Sequence, residues 1–315
     1  MNTTKSHIVI AGGNGFLGQA LSSYFHKAGY NICVLTRSPK NSLAGIKQVK
    51  WDAASLGDWA QELEGATAII NLVGRSVNCR YHEKNRRSII ESRVNSTRAI
   101  GQAIARCKAP PKVWLNASTA TIYKHTFGPA WTEAGEIGST VEAKDKFSVE
   151  VATEWERALQ EASTPLTRKV AMRSAMVFGL GDNSVFPMLR RLTRLGLGGR
   201  MGNGKQFVSW IHETDFCRAV EWLIAYEELR GPINISAPNP VTNAEMMKTL
   251  RDVCGVPVGL PATRWMLEAG AFLLQTETEL TIKSRRVIPA RLVESGFAFR
   301  FPHLLETIKD LLTNH

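Results

Sequence analysis

The sequence predicts a doubly wound α/β domain on a parallel sheet, continued by a smaller C-terminal mixed α/β lobe. Three observations predict it. Short apolar, β-branched runs alternate with helix-periodic stretches through residues 1–180. A glycine-rich turn joins the first such run to the first helix. Beyond Gly179 the alternation gives way to a Gly-rich stretch and shorter strands mixed with helices. Strands alternating with helices at this spacing imply right-handed βαβ units.

Residues 7–11 read as a buried strand that ends in Gly12-Gly13. Phe16, Leu17, Ala20, Leu21, Tyr24 and Phe25 then recur at helical spacing, and Gly29 closes that helix. Residues 31–35, 48–51 and 68–73 give the second to fourth strands. A long polar helix over 82–106 leads to a fifth strand over 112–117. A helix over 144–161 leads to a sixth strand within 169–178. The pattern divides into residues 1–180 and a smaller substrate lobe, 181–315, whose segments exchange with the sheet. Within the lobe, 207–210 and 232–235 read as short strands, and Asn243 opens a helix. Ligands of open α/β sheets sit at the strand C-termini, where this lobe packs.

Composition narrows the function classes. The chain has 315 residues, 44% apolar and 21% charged, enough for a full core and free of low-complexity tracts. The first apolar run, 8–11, is too short for a signal peptide, and 262–274 is short and carries Arg264 and Glu268. The expectation is a cytoplasmic protein with no membrane partner. Its five cysteines are scattered without a C-x-x-C pair or a His cluster, so no disulfide framework and no metal site is expected. The net charge of +11 gathers in 75–112 and 190–205. No stacking-aromatic or helix-turn-helix pattern accompanies it, which disfavours nucleic acid and leaves an anionic small molecule as the simpler partner. Nothing in the sequence fixes an oligomeric state.

The strongest local signal is Ala11-Gly12-Gly13-Asn14-Gly15-Phe16-Leu17-Gly18, between a strand and a helix. That is the context of a dinucleotide-binding turn on a Rossmann-type sheet. Gly12 permits the tight turn, Gly15 lets N–H groups approach a pyrophosphate, and Gly18 allows close helix–strand packing. The spacing is G-x-x-G-x-x-G. The second strand ends Leu35-Thr36-Arg37-Ser38, with no carboxylate for a ribose 2′-hydroxyl. A guanidinium suits the 2′-phosphate instead, so the cofactor expected is NADP(H), with Arg37 on that phosphate, the Thr36 hydroxyl beside it in the cofactor site and Asp52 near the adenine.

These motifs, with Asn71-Leu72-Val73-Gly74 and Ser118-Thr119-Ala120-Thr121-Ile122-Tyr123, resemble the extended short-chain dehydrogenase/reductase superfamily. Further strings narrow the resemblance: Ser92-Arg93-Val94-Asn95-Ser96-Thr97-Arg98, Trp210-Ile211-His212-Glu213-Thr214-Asp215 and Ala237-Pro238-Asn239-Pro240-Val241-Thr242-Asn243. With Arg286-Val287-Ile288-Pro289-Ala290-Arg291-Leu292 and Gly296-Phe297, they resemble YfcH-type epimerase family proteins, including their small C-terminal domain of unknown function. The resemblance spans almost the whole chain. It implies cofactor contacts from Gly12, Gly15, Phe16, Leu17, Gly18, Leu72, Val73, Gly74, Arg93, Asn95, Ser118 and Val177. It also implies that the Thr119 hydroxyl bonds the reacting oxygen.

One departure limits the chemistry. The Tyr-x-x-x-Lys of the superfamily falls on Phe147-Ser148-Val149-Glu150-Val151, so the usual proton donor and its cation are missing. Tyr123 and His212, with Asp215 nearby, are the candidates to replace it, against packing or structural hydrogen bonding for each. Ala120-Thr121 stand where dehydratases carry Asp-Glu, which rules against water elimination. Arg80, Arg200, Lys205 and Arg286 are candidates for an anion-binding wall around residues 198–206. Two functional readings stay open: an NADP(H)-dependent reductase or epimerase acting on a small polar, sugar-like or anionic substrate, and a non-catalytic NADP(H)-responsive sensor or partner-binding module.

Overall fold

The computed structural model describes residues 6–39, 45–263, 266 and 282–313. β1 (His7–Ala11), α1 (Phe16–Lys27), β2 (Asn31–Thr36), β3 (Lys47–Lys50), β4 (Ala68–Asn71), α2 (Glu83–Ile104), β5 (Val113–Thr119), α3 (Lys146–Glu161) and β6 (Arg168–Ser174) follow in order. β7 (Met176–Phe178), α4 (Val185–Leu192), β8 (Phe207–Val208), β9 (Trp210–His212), α5 (Glu213–Ala225), β10 (Gly231–Ile235), β11 (Val241–Thr242) and α6 (Asn243–Cys254) come next. The described chain ends with α7 (Ala290–Glu294) and α8 (Leu304–Thr313).

The main sheet has seven parallel strands in the order β10-β6-β5-β4-β1-β2-β3. Because side chains alternate across a strand, its two faces sort into two cores. Ile8, Ile10, Ile32, Val34, Ile70, Leu115 and Met172 pack against Leu21 and Phe25 of α1 and Phe216, Val220 and Leu223 of α5. Val9, Ala11, Cys33, Leu35, Ile69 and Trp114 pack against Ala99, Ile100, Ala103 and Ile104 of α2 and Leu159 of α3. Strand order reverses between β1 and β4, so the loops after these two strands flank a crevice at the C-terminal edge.

Two readings of the sequence change here. The apolar run 169–178 is not one strand: β6 stays in the main sheet, whereas β7 turns away to pair with β9. The break falls at Ala175, whose N–H bonds Ile235 O at 3.0 Å. Residues 232–235, read as part of the lobe, lie in β10 and pair with β6 at the edge of the main sheet. The rest of the C-terminal portion has its own core, in which Phe178, Phe186 and Trp210 meet Met246, Met247 and Leu250 of α6 and Ile308 and Leu311 of α8. α6 starts on a capping box of Thr242 and Glu245.

Among the described residues no helix is long and apolar enough to cross a membrane, and no group of three His, Cys, Asp or Glu side chains is placed to hold a metal. The five cysteines are free thiols.

Candidate cofactor cleft and its surroundings

The turn after β1 is close-packed backbone. Gly12 has φ +81°, and a Cβ there would lie 3.1 Å from Leu72 C and Val73 N of the loop after β4. A Cβ on Gly18 would lie 2.5 Å from Gly13 Cα, and one on Gly13 would lie 2.5 Å from Val34 Cγ1. Only small residues therefore let α1 start against this turn. Gly15 differs, since its nearest neighbour in the Cβ direction is Gly12 O at 3.7 Å. It is the N-cap of α1 and supplies no side-chain cap, so the first-turn N–H groups stay directed into the crevice. These features fit a dinucleotide pyrophosphate: an open helix N-terminus, and a glycine at the point of closest approach.

Asn14, which the sequence reading passed over, locks this turn to the end of β2. Its Nδ2 donates to Thr36 Oγ1 at 2.8 Å and to Ser38 O at 3.0 Å. Thr36 is buried and its hydroxyl also accepts from Ser38 N at 3.3 Å. Arg37 is exposed beside it. Asp52 Oδ1 accepts from Ala54 N and Ser55 N at 2.9 and 2.8 Å. The Ser55 hydrogen bonds, before that of Ala54, hold this carboxyl below its usual range.

The opposite wall is set by buried amides. Asn71 donates to Asn116 Oδ1 at 2.7 Å and accepts from Val73 N at 3.1 Å, which fixes Leu72-Val73-Gly74 over the strand ends. The Phe16 ring reaches the loop after β7, where Cβ atoms on Gly179 and Gly181 would fall 2.5 and 2.6 Å from it. Leu17 packs partly on the sheet core, as does Val177 of β7. Arg93 sits beneath Gly74, whereas Asn95, two residues on, is exposed on the outer side of α2. The helix phase separates them: 93, 97 and 100 share the inward face and 95 does not.

Thr119 ends β5 partly exposed, and its Oγ1 accepts from Thr121 N at 3.1 Å. Tyr123 is 1% exposed. Its hydroxyl donates to Asn234 Oδ1 at 2.7 Å and accepts from Arg173 Nη1 at 2.8 Å. Burial pushes the phenol pKa up. Arg173 in turn holds Glu156, which accepts from Ser118 Oγ at 2.6 Å. Ser118 and Tyr123 thus belong to one internal network that joins β5, α3, β6 and β10.

His212 is also buried. Nδ1 accepts from Thr214 N at 3.0 Å as the cap of α5, the ring stacks on Phe301 at 4.1 Å, and Nε2 faces Asp310 Oδ2 at 3.2 Å. Desolvation lowers its pKa, with Asp310 opposing in part. Its role here is a helix cap that anchors α8. Asp215 likewise accepts from Arg300 N and Phe301 N.

Phe147 and Val151 lie in an apolar cluster with Ile89, Val77 and Tyr81. Tyr81 meets the Phe147 ring edge-on at 4.8 Å, and the exposed Arg86 stacks on it at 4.7 Å. Of the cations expected around the Gly-rich loop, Arg200 and Lys205 are exposed, and Arg286 lies over Phe207 and donates to Gly128 O.

The profile of the NAD dependent epimerase/dehydratase family matches residues 8–236. The chain belongs to that family. A domain of unknown function, DUF1731, matches residues 262–311. Epimerase family protein YfhF of Bacillus subtilis is 28% identical over 309 residues, covering 98% of each chain. The crystal structure of human epimerase family protein SDR39U1 (isoform 2) with NADPH is 26% identical, with a TM-score of 0.86, over 98% of this chain and 100% of that one. A nucleoside-diphosphate sugar epimerase from Corynebacterium glutamicum is 28% identical with a TM-score of 0.76, over 98% of this chain and 58% of that one. Membership in this family agrees with the resemblance read from the sequence.

Proposed function

We propose that the chain is an NADP(H)-dependent reductase or epimerase for a small polar substrate. The observation that carries this is the pairing of an open α1 N-terminus at Gly15 with a β2 end that offers Thr36 and an exposed Arg37 and no carboxylate. The NADPH in the similar human structure supports the same cofactor. Bound in this crevice, the cofactor would supply or accept the hydride. Gly15 and the first turn of α1 would hold its pyrophosphate, Arg37 its 2′-phosphate, and Leu72-Val73-Gly74 its far half. Thr119 keeps its own hydroxyl proton for a substrate oxygen, because Oγ1 only accepts in its bond with Thr121 N. Tyr123 and His212 are both sealed inside, so they support the fold around the site rather than a proton transfer to substrate.

The test is a fluorescence titration with NADPH and with NADH for the wild type and Arg37→Ala. NADPH preferred by the wild type, with the preference lost in the variant and NADH affinity little changed, is the expected result. Equal affinity for both cofactors in the wild type would defeat the assignment.

A further inference from the structure

Two guanidinium groups of this fold, those of the buried Arg173 and the half-buried Arg168, are spread over several acceptors. Arg173 has the Glu156 carboxylate, and Arg168 caps the carbonyls of Leu223, Ile224 and Leu229. Arg93 is different. Its two hydrogen bonds, to Arg75 O and Ile89 O, are both 3.0 Å long and both come from Nη1. The guanidinium lies 4.9 Å from the Trp155 ring centroid. A Cβ on Gly74 would press on it, 3.0 Å from Cζ, 3.2 Å from Nη2 and 3.4 Å from Nε. No carboxylate pairs with it among the described residues; the titratable group that faces it is the Tyr81 phenol. Desolvation pulls its pKa down to about 10.

A half-buried cation without a counter-charge is costly, and the two carbonyl bonds and the Trp155 ring fix this one in place. An arginine carries five N–H donors, and the two protons of Nη1 are spent on carbonyls. That leaves the Nε–Nη2 edge, the fork that matches two oxygens of a carboxylate or phosphate. Arg93 abuts Gly74, one residue past the Leu72-Val73 contact with Gly12, and its guanidinium lies over Trp155 of α3. The cofactor phosphates have receptors of their own at α1 and at Arg37.

We propose that Arg93 is the receptor for the anionic group of the substrate, so that the substrate of this site is a carboxylate or a phosphate compound. This rests on the cofactor reading above. The indole and the two carbonyls hold the guanidinium rigid, and Gly74 leaves it room. The anion supplies the charge that the fold withholds.

The test uses the full chain saturated with NADPH, titrated calorimetrically with inorganic phosphate and with acetate. The variants are Arg93→Met, Arg93→Lys and, as a surface control, Arg86→Met, each checked for an unchanged melting temperature. The expected result is saturable anion binding by the wild type, weakened about tenfold or more in Arg93→Met, partly kept in Arg93→Lys and unaffected in Arg86→Met. A variant that loses NADPH affinity about tenfold, yet still binds anions normally when saturated, would assign Arg93 to the cofactor diphosphate and overturn the proposal. No saturable binding by the wild type, or equal binding by Arg93→Met, overturns it as well. A wild type that fails to bind NADPH refutes the cofactor reading alone, and the anion titration is then read on the free protein.

Discussion

Glu156 and Arg173 form a two-point ion pair, Nε to Oε1 and Nη2 to Oε2 at 2.8 Å each, with both side chains sealed inside the protein. Burial alone would weaken the guanidinium's hold on its proton; the Glu156 hydrogen bonds and charge outweigh it and hold the pKa above the ordinary value. Ser118 Oγ, Tyr123 Oη and Glu133 O complete the set of partners. A buried pair of this kind roughly balances its desolvation cost, but half of it does not. Glu156→Ala is expected to destabilise the chain by about 3–5 kcal/mol in urea denaturation. Glu156→Leu combined with Arg173→Met should recover most of that loss. If the double variant is as unstable as the single one, the pair contributes net stability and the balance argued here is wrong.

Tyr123→Phe separates a structural role from a catalytic one. Removing the hydroxyl strands the buried Asn234 Oδ1 and takes one acceptor from Arg173 Nη1. The expected loss is about 1–3 kcal/mol of stability, with NADPH affinity unchanged. Unaltered stability together with abolished turnover would return Tyr123 to the list of proton donors.

The glycines of the first turn divide by what surrounds them. Gly18→Ala drives a Cβ to 2.5 Å from Gly13 Cα and 2.7 Å from Gly12 O, so it should cost about 1–3 kcal/mol of stability as well as cofactor affinity. Gly15→Ala meets nothing closer than 3.7 Å, and its φ of −78° suits any residue. It should leave the melting temperature unchanged and weaken NADPH binding alone. A Gly15→Ala protein with wild-type NADPH affinity would remove the pyrophosphate from that helix end.

The sheet was legible because its inner strands are buried on both faces and read as short β-branched runs, and the glycine turn announced where β1 meets α1. The break at Ala175 left no mark, since Met176-Val177-Phe178 of β7 continue the apolar run of β6 although they pair with β9. The place of β10 depends on its pairing with β6, some sixty positions earlier in the chain, which no local pattern records. Arg93 and Asn95 differ only in helix phase, and motif matching without that phase treats both as site residues. Tyr123 stays open between proton donor and packing residue in the sequence because its partners, Asn234 and Arg173, are distant along the chain. Asn14 was readable in principle: an Asn between glycines, with a hydroxyl residue at the end of the next strand, is a side chain placed to tie two turns together.

His212 gives the protein a pH dependence of definite sign. The folded-state pKa is lowered, chiefly by burial, so between that value and the unfolded value near 6.5 the unfolded chain binds a proton that the folded chain does not. Stability conferred by the neutral ring is complete above the unfolded pKa and is lost as the pH falls below it, by at most about 1.4 kcal/mol per pH unit. An asparagine can cap α5 in its place without titrating. His212→Asn should therefore be less stable at pH 7.5, where the ring's stack on Phe301 is lost, and should show a shallower decline on acidification. Urea denaturation of both proteins between about pH 7.5 and 5.5 measures this, across the window set by the ordinary histidine value. Parallel declines would mean that His212 keeps its unfolded-state affinity for protons, and that Asp310 fully compensates its burial.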